Sequence, residues 1–181
     1  MKKIIIAIDS FKGCLTSAEA GKAAEKGIKS INPSCHTSVI PIADGGEGLL
    51  DVLITATKGK YITLSAHGPL MKMAKTHYGL SGNGRTAIIE MAAISGLPLV
   101  PIEQRNPMLT TTFGTGELIK DALNKGCRNF IIGIGGSATN DAGLGMLQAL
   151  GFRFLDKSGH TLGTGGQIME AVANIDTSGI H

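Results

Sequence analysis

Residues 128–141 read RNFIIGIGGSATND. The apolar run 128–134 passes directly into a bend holding Gly135, Gly136, Ser137, Thr139, Asn140 and Asp141, and a helical stretch, 141–150, follows. Strand, glycine-dense bend and helix in that order form the repeating unit of an α/β fold. The bend then falls at the carboxyl end of a strand, where open α/β sheets collect their ligands. It has neither the Gly-Lys-Ser/Thr of a Walker A loop nor a clean Gly-x-Gly-x-x-Gly, so its spacing alone names no ligand.

The same rhythm extends in both directions. Thr110-Thr111-Thr112 leads into Gly114-Thr115-Gly116 and a helix to about Asn124, with Gly126 in the C′ position. At the amino end, residues 3–8 (KIIIAI) form a β-branched run of the kind buried on both faces of a parallel sheet. Thr16-Ser17-Ala18-Glu19 has capping-box spacing and opens a helix to about Lys29. Residues 37–42 read as a strand and 46–57 as a second helix. The alternation requires crossover connections and predicts an α/β fold, a mostly parallel sheet flanked by helices. Residues 60–66 and 72–80 alternate around a Gly68-Pro69 turn, and 85–91 add a strand. Residues 1–66 and 107–155 are thus expected as α/β core segments, with 67–106 a mixed-sheet excursion. The tail, 152–181, has weak periodicity and ends at Ile180-His181 with no closing strand or helix expected.

Composition narrows the function classes. The chain of 181 residues is 43% apolar and 17% charged, with 26 glycines and no tryptophan, which suits an ordered core of aliphatic residues. Its net charge of +3 is spread over scattered Lys and Arg, without the basic face and stacking aromatics of a nucleic-acid binder. Three cysteines, Cys14, Cys35 and Cys127, show no metal or redox spacing and point to reduced thiols in a cytoplasm. Met1-Lys2-Lys3 imitates a leader, but Asp9 ends the apolar run too early, and no apolar stretch reaches membrane-spanning length. The five histidines suggest neither a zinc site nor a hydrolase triad. No membrane or nucleic-acid partner is expected, and a homo-oligomer is left open.

Four loops carry candidate chemistry. In Asp9-Ser10-Phe11-Lys12-Gly13, Asp9 can take a hydroxyl proton or join a Mg²⁺ shell and Lys12 can neutralise an anion; turn formation and solvation explain them equally. Asp44-Gly45-Gly46-Glu47-Gly48 places two acids among three glycines, where helix capping accounts for the acids but not for the glycines. Thr112, Gly114 and Thr115 converge on a helix start, an anion site or an ordinary cap. The fourth is the 133–141 bend. Glu90, at a strand end, can point into the same cleft.

In order, DSFKG (9–13), PIADGGEG (41–48), GPL (68–70), IEMA (89–92), TTFGTGELI (111–119) and GIGGSATNDAGLGMLQALG (133–151) resemble the type 1 glycerate kinase family of bacterial cytoplasmic enzymes. The resemblance implies two intertwined α/β domains with the site between them, and ATP- and Mg²⁺-dependent phosphorylation of D-glycerate, at the 2-hydroxyl in preference to the 3-hydroxyl. It implies that Asp9, Lys12 and Asp44 are catalytic, and that Ser10, Gly45, Gly46, Glu47 and Glu90 bind the substrate. Nucleotide phosphates would fall to Thr112, Gly114, Thr115, Gly135, Gly136, Ser137, Thr139 and Asn140, and Mg²⁺ to Asp141 or Asp44. Two departures stand out. Cys14 replaces the family's usual Ser, and family members are about twice as long, so the chain corresponds to their N-terminal half with the second half absent. A dinucleotide-dependent oxidoreductase and a non-catalytic sugar-acid or nucleotide-binding fragment are the rival readings.

Overall fold

A computed structural model describes residues 3–180. Met1 and Lys2 of the leader-like start, and His181, lie outside the described residues. The chain opens with β1 (Lys3–Ile8), α1 (Ser17–Ile31) and β2 (His36–Pro41). The two strands pair in parallel from Lys3↔His36 to Ile8↔Pro41, with α1 as the crossover. The capping box forms as its spacing predicts: Glu19 N donates to Thr16 Oγ1 at 3.2 Å, and Thr16 N donates to Glu19 Oε2 at 2.9 Å. One face of this pair lies on α1, with Ile6 buried. The opposite face leaves Ile5 59% and Ile40 49% exposed, so the expected burial of KIIIAI on both faces is met on one only.

The second unit contains α2 (Leu49–Thr57), β3 (Lys60–His67), β4 (Met73–Leu80), β5 (Thr86–Glu90), α3 (Ala92–Ser95), α4 (Phe113–Asn124), β6 (Asn129–Gly133) and α5 (Leu144–Ala149). Its sheet has the order β3-β4-β5-β6. The α/β layering holds, but the strand directions are mixed rather than mostly parallel: β3–β4 and β4–β5 run antiparallel and β5–β6 parallel. The Gly68-Pro69 region turns β3 into β4 as a hairpin, and a hairpin can only pair antiparallel. The strands β4 and β5, inside 67–106, are the two central ones.

Alternation along β5 builds a core on both faces of this sheet. Ala87 and Ile89 point into a cluster with Tyr78, Leu118, Ile119 and Ala122, under α4. Ile88 points the other way, onto Leu50 and Ile54 of α2. Gly79 on β4 admits α2 closely, since a Cβ there would stand 2.7 Å from Leu50 Cδ1. Leu118 is fully buried, and Leu118→Ala should destabilise the protein by about 2–5 kcal/mol. Denaturant unfolding checks this, and a loss below about 1 kcal/mol would show that α4 does not hold this core.

The tail corrects an expectation. Residues β7 (Arg153–Leu155) and β8 (Asn174–Asp176) pair antiparallel, with a 3₁₀ turn over Gly166–Ala171 between them, so closing strands do exist. Strands of three residues are too short to show a period. Both glycine loops also run further than expected, because left-handed glycines delay the helices. Gly48 (φ 89°) precedes α2 at Leu49 rather than 46, and Gly143 (φ 76°) precedes α5 at Leu144 rather than 141. Among the described residues, no helix is long and apolar enough to cross a membrane.

Candidate active site

Contacts between loops far apart in sequence assemble one continuous rim. Lys12 Nζ lies 3.8 Å from Asp44 Oδ2, joining the turn after β1 to the turn after β2. Asp44 Oδ1 accepts from Gly46 N at 3.0 Å and shapes its own turn. The Gly45 carbonyl accepts from Gly135 N at 3.1 Å, joining that turn to the bend after β6. Thr110 Oγ1 donates to the Ala138 carbonyl at 2.8 Å, and Thr139 Oγ1 to the Thr110 carbonyl at 2.6 Å, which adds the approach to α4. All four candidate loops are thereby linked.

Two cavities open on this rim. The larger, about 630 Å³, lies between the start of α1, the end of β2 and α2, and is lined by Ser10, Glu47, Gly48, Asp51 and Glu90 among others. The smaller, about 270 Å³, lies between the 133–141 bend and the starts of α4 and α5; Thr112, Thr115, Ser137, Thr139, Asn140 and Asp141 line it. Of the residues expected at the substrate, Ser10, Glu47 and Glu90 line the larger cavity, and of those expected at the nucleotide, Thr112, Thr115, Ser137, Thr139 and Asn140 line the smaller. Asp9, Lys12, Asp44, Gly45, Gly46, Gly114, Gly135 and Gly136 line neither, and the Gly45–Gly135 contact joins the two glycine loops. Met91, Ile132, Ile134 and Met146 give the smaller cavity an apolar wall.

Several groups are already engaged. Ser137 Oγ donates to the Thr139 carbonyl at 2.9 Å, so its proton, like that of Thr139, holds the bend in shape. Gly114 packs against the His67 carbonyl and Ile94, so its missing side chain serves helix packing. Asp141, expected as a metal ligand, is 1% exposed and accepts from Thr112 N at 2.8 Å, Gly143 N at 3.0 Å and Gly145 N at 3.2 Å. The helix-start anion site anticipated at Thr112–Thr115 is thus filled by the protein's own carboxylate, and a cation would have to displace these donors. Asp44 fits Mg²⁺ better: its side chain is 58% exposed and Oδ2 faces only the Lys12 ammonium among the polar contacts described. Among the described residues no group of three or more His, Cys, Asp or Glu could hold a metal, so such an ion would take its remaining oxygens from phosphates and water. Asp9 Oδ1 accepts from Ser10 N at 2.7 Å, which orients the carboxylate at the end of β1.

Glu90 projects from the end of β5 to the start of α2, where its Oε2 accepts from Leu50 N at 3.3 Å. Burial pushes its pKa above the ordinary 4.5, the amides of Leu50 and Gly48 pull the other way, and Asp51 and Glu47 push it up further. The folded protein therefore retains a proton that the unfolded chain has lost. The stability from Glu90 is greatest below 4.5 and declines as pH rises through the raised value. Across that window wild-type protein should lose stability relative to Glu90→Gln; a difference that stays flat with pH in denaturant titrations would overturn the burial argument.

Sequence reasoning missed Ser17. Its Oγ donates to the Ile8 carbonyl at 2.5 Å and accepts from Ile42 N at 3.0 Å, tying the ends of β1 and β2 at the mouth of the larger cavity. The capping box placed Ser17 at the helix start, but nothing local shows that it reaches two strands. His67 also proves partnered, with Nδ1 at 2.9 Å from Glu117 Oε1.

A family model, the glycerate kinase family, matches residues 4–181. The chain belongs to the glycerate kinase family. It is 54% identical over 178 residues to a glycerate kinase of Bacillus subtilis (strain 168), covering 98% of this chain and 47% of that one. A glycerate 2-kinase of Escherichia coli (strain K12) is 49% identical, again over 98% of this chain and 47% of its own length. In structure, the chain superposes on the crystal structure of a candidate glycerate kinase 2 from Salmonella typhimurium LT2 with a TM-score of 0.84 at 49% identity, covering 99% of this chain and 48% of that one. The chain thus spans about half the length of the curated relatives it matches.

Proposed function

We propose that this chain supplies the substrate and nucleotide loops of an ATP-dependent kinase that phosphorylates D-glycerate at its 2-hydroxyl. The observation that carries the proposal is the placement of two cavities on one rim, the larger with Glu47, Asp51 and Glu90 on a largely apolar wall and the smaller bounded by the 133–141 bend. Family membership supports the kinase chemistry and glycerate as acceptor, and the name of the Escherichia coli relative supports the 2-hydroxyl.

Phosphoryl transfer depends on positioning and charge neutralisation more than on covalent chemistry by the protein. In the proposed step the glycerate oxygen bonds to the γ-phosphorus, the bond to the bridging oxygen breaks, and ADP leaves. The hydroxyl proton passes to Asp9, or to Asp44 when that residue is not on the metal. Lys12, beside Asp44, offsets negative charge on the substrate carboxylate or the moving phosphoryl group. Ser10, Glu47 and Glu90 shape the acceptor side, and the Gly45-Gly46 backbone joins it to the bend after β6. The Gly136 backbone amide would face the nucleotide phosphates, while the Gly135 and Thr112 amides, bonded to the Gly45 carbonyl and to Asp141, hold the surrounding loops and the Ser137, Thr139 and Asn140 side chains fix and border the bend. Bound Mg²⁺ would neutralise phosphate charge, with Asp44 as its protein ligand. The exposed Cys14 and buried Cys127 thiols suit a reducing cytoplasm.

The test incubates the chain with D-glycerate, ATP and Mg²⁺, alone and mixed with the part of the Escherichia coli relative that it does not match. ADP release with 2-phosphoglycerate seen by phosphorus NMR is the expected result. Nucleotide binding without ADP release in either mixture would favour the non-catalytic reading. Glycerate-dependent reduction of NAD would favour the oxidoreductase.

A further inference from the structure

We propose that Asp141 is a positioning residue whose buried carboxylate locks the 133–143 turn against the start of α4 and so fixes the shape of the smaller cavity. Its consequence for nucleotide binding rests on the function proposed above; its consequence for the loop does not. Asp141 Oδ2 accepts from Thr112 N at 2.8 Å, and from Thr111 Oγ1 and Gly145 N at 3.2 Å each. Oδ1 accepts from Gly143 N at 3.0 Å. The Thr112 hydroxyl stands 3.0 Å from both oxygens and itself accepts from Met146 N at 3.0 Å. One carboxylate therefore satisfies backbone amides at the starts of both α4 and α5. Those amides have no partner within their helices, and the positive helix ends favour an anion there.

The backbone around Asp141 is bent to serve this arrangement. Ala142 adopts φ 51° and Gly143 φ 76°, two left-handed residues in succession. A residue with a Cβ holds that conformation at a cost and needs its surroundings to keep it there. The turn brings the Gly143 and Gly145 amides back onto the carboxylate. Gly145 is close-packed for the same reason, since a Cβ would stand 2.8 Å from Asp141 Oδ2 and from Phe113 N. The cavity residues Thr112 and Thr115 lie on the α4 side of this junction, and Asn140 and Gly143 on the other.

Asparagine has the shape of aspartate but cannot replace it. Each carboxylate oxygen faces at least one backbone N–H, whereas Asn offers one oxygen and one NH₂ group. Whichever way it turns, its NH₂ meets another donor. Amide hydrogen exchange and ADP titration would be compared in wild type, Asp141→Asn, Thr112→Ser and the core variant Leu118→Ala. In Asp141→Asn the amides of Thr112, Gly143 and Gly145 should exchange about tenfold faster or more, and ADP should bind about tenfold more weakly. Thr112→Ser keeps the hydroxyl and should leave exchange at the three amides as in wild type. Leu118→Ala should lower the melting temperature yet leave ADP affinity as it was, which separates positioning from general destabilisation. A folded Asp141→Asn with unchanged exchange and unchanged ADP affinity overturns the proposal. If Asp141→Asn does not fold, Thr112→Val decides by the same two readouts, with no change in either again overturning it. If wild type binds no ADP, the nucleotide reading of the cavity fails, and exchange at the three amides alone decides the role of Asp141.

Discussion

Asp44→Asn is expected to lower glycerate-dependent ADP formation by about 10²–10⁴-fold, the loss typical of removing a proton acceptor or a charge that holds the metal. The substitution isolates charge from structure. Asn retains an oxygen that can accept from Gly46 N, the 3.0 Å bond by which Asp44 closes its own turn. What disappears is the negative charge 3.8 Å from the Lys12 ammonium, with an NH₂ group in its place. Both side chains are exposed, so their mutual attraction contributes little to folding, and the melting temperature should hardly change. Activity within about threefold of wild type, in the mixture where wild type turns over, would remove Asp44 from both roles proposed for it.

Gly135→Ala should cost about 10²-fold in activity, while Gly46→Ala on the facing loop should cost far less. A Cβ on Gly135 would lie 2.7 Å from Gly46 Cα, 3.0 Å from Gly46 N and 3.3 Å from the Gly45 carbonyl oxygen. Every one of those atoms is backbone, so the clash can be relieved only by separating the two loops. Overpacking of this kind destabilises by about 1–3 kcal/mol. Separation also breaks the Gly135 N to Gly45 O hydrogen bond and widens the seam between the cavities. A Cβ on Gly46, by contrast, meets Asp44 Oδ1 at 3.2 Å and Gly135 Cα only at 3.7 Å, and the Asp44 side chain can yield. Activity and melting temperature of the two variants, measured side by side, check the asymmetry. Equal losses would mean that the seam is not what aligns the loops.

The sequence determined whatever depends on neighbours a few residues away. The Thr16–Glu19 capping box, the left-handed Gly126 after α4 and the turn at Gly68-Pro69 each involve bonds or dihedrals spanning at most five residues, so their spacing alone specifies them. Short continuous apolar runs likewise placed β1, β5 and β6, and the order of the six segments pointed to the family. Tertiary structure decided the rest. Asp141 reads as a metal ligand until Thr112, 29 residues back, is found donating to it, and Ser17 reads as a cap residue until Ile42, 25 residues on, is found bonded to it. The hydroxyls of Ser137 and Thr139 look available until their carbonyl partners are identified. Strand direction in the main sheet, the bare outer face of β1 and the need for glycine at 135 also depend on which elements meet. A run of residues carries its own periodicity and turn chemistry, but not the identity of the backbone that will approach it.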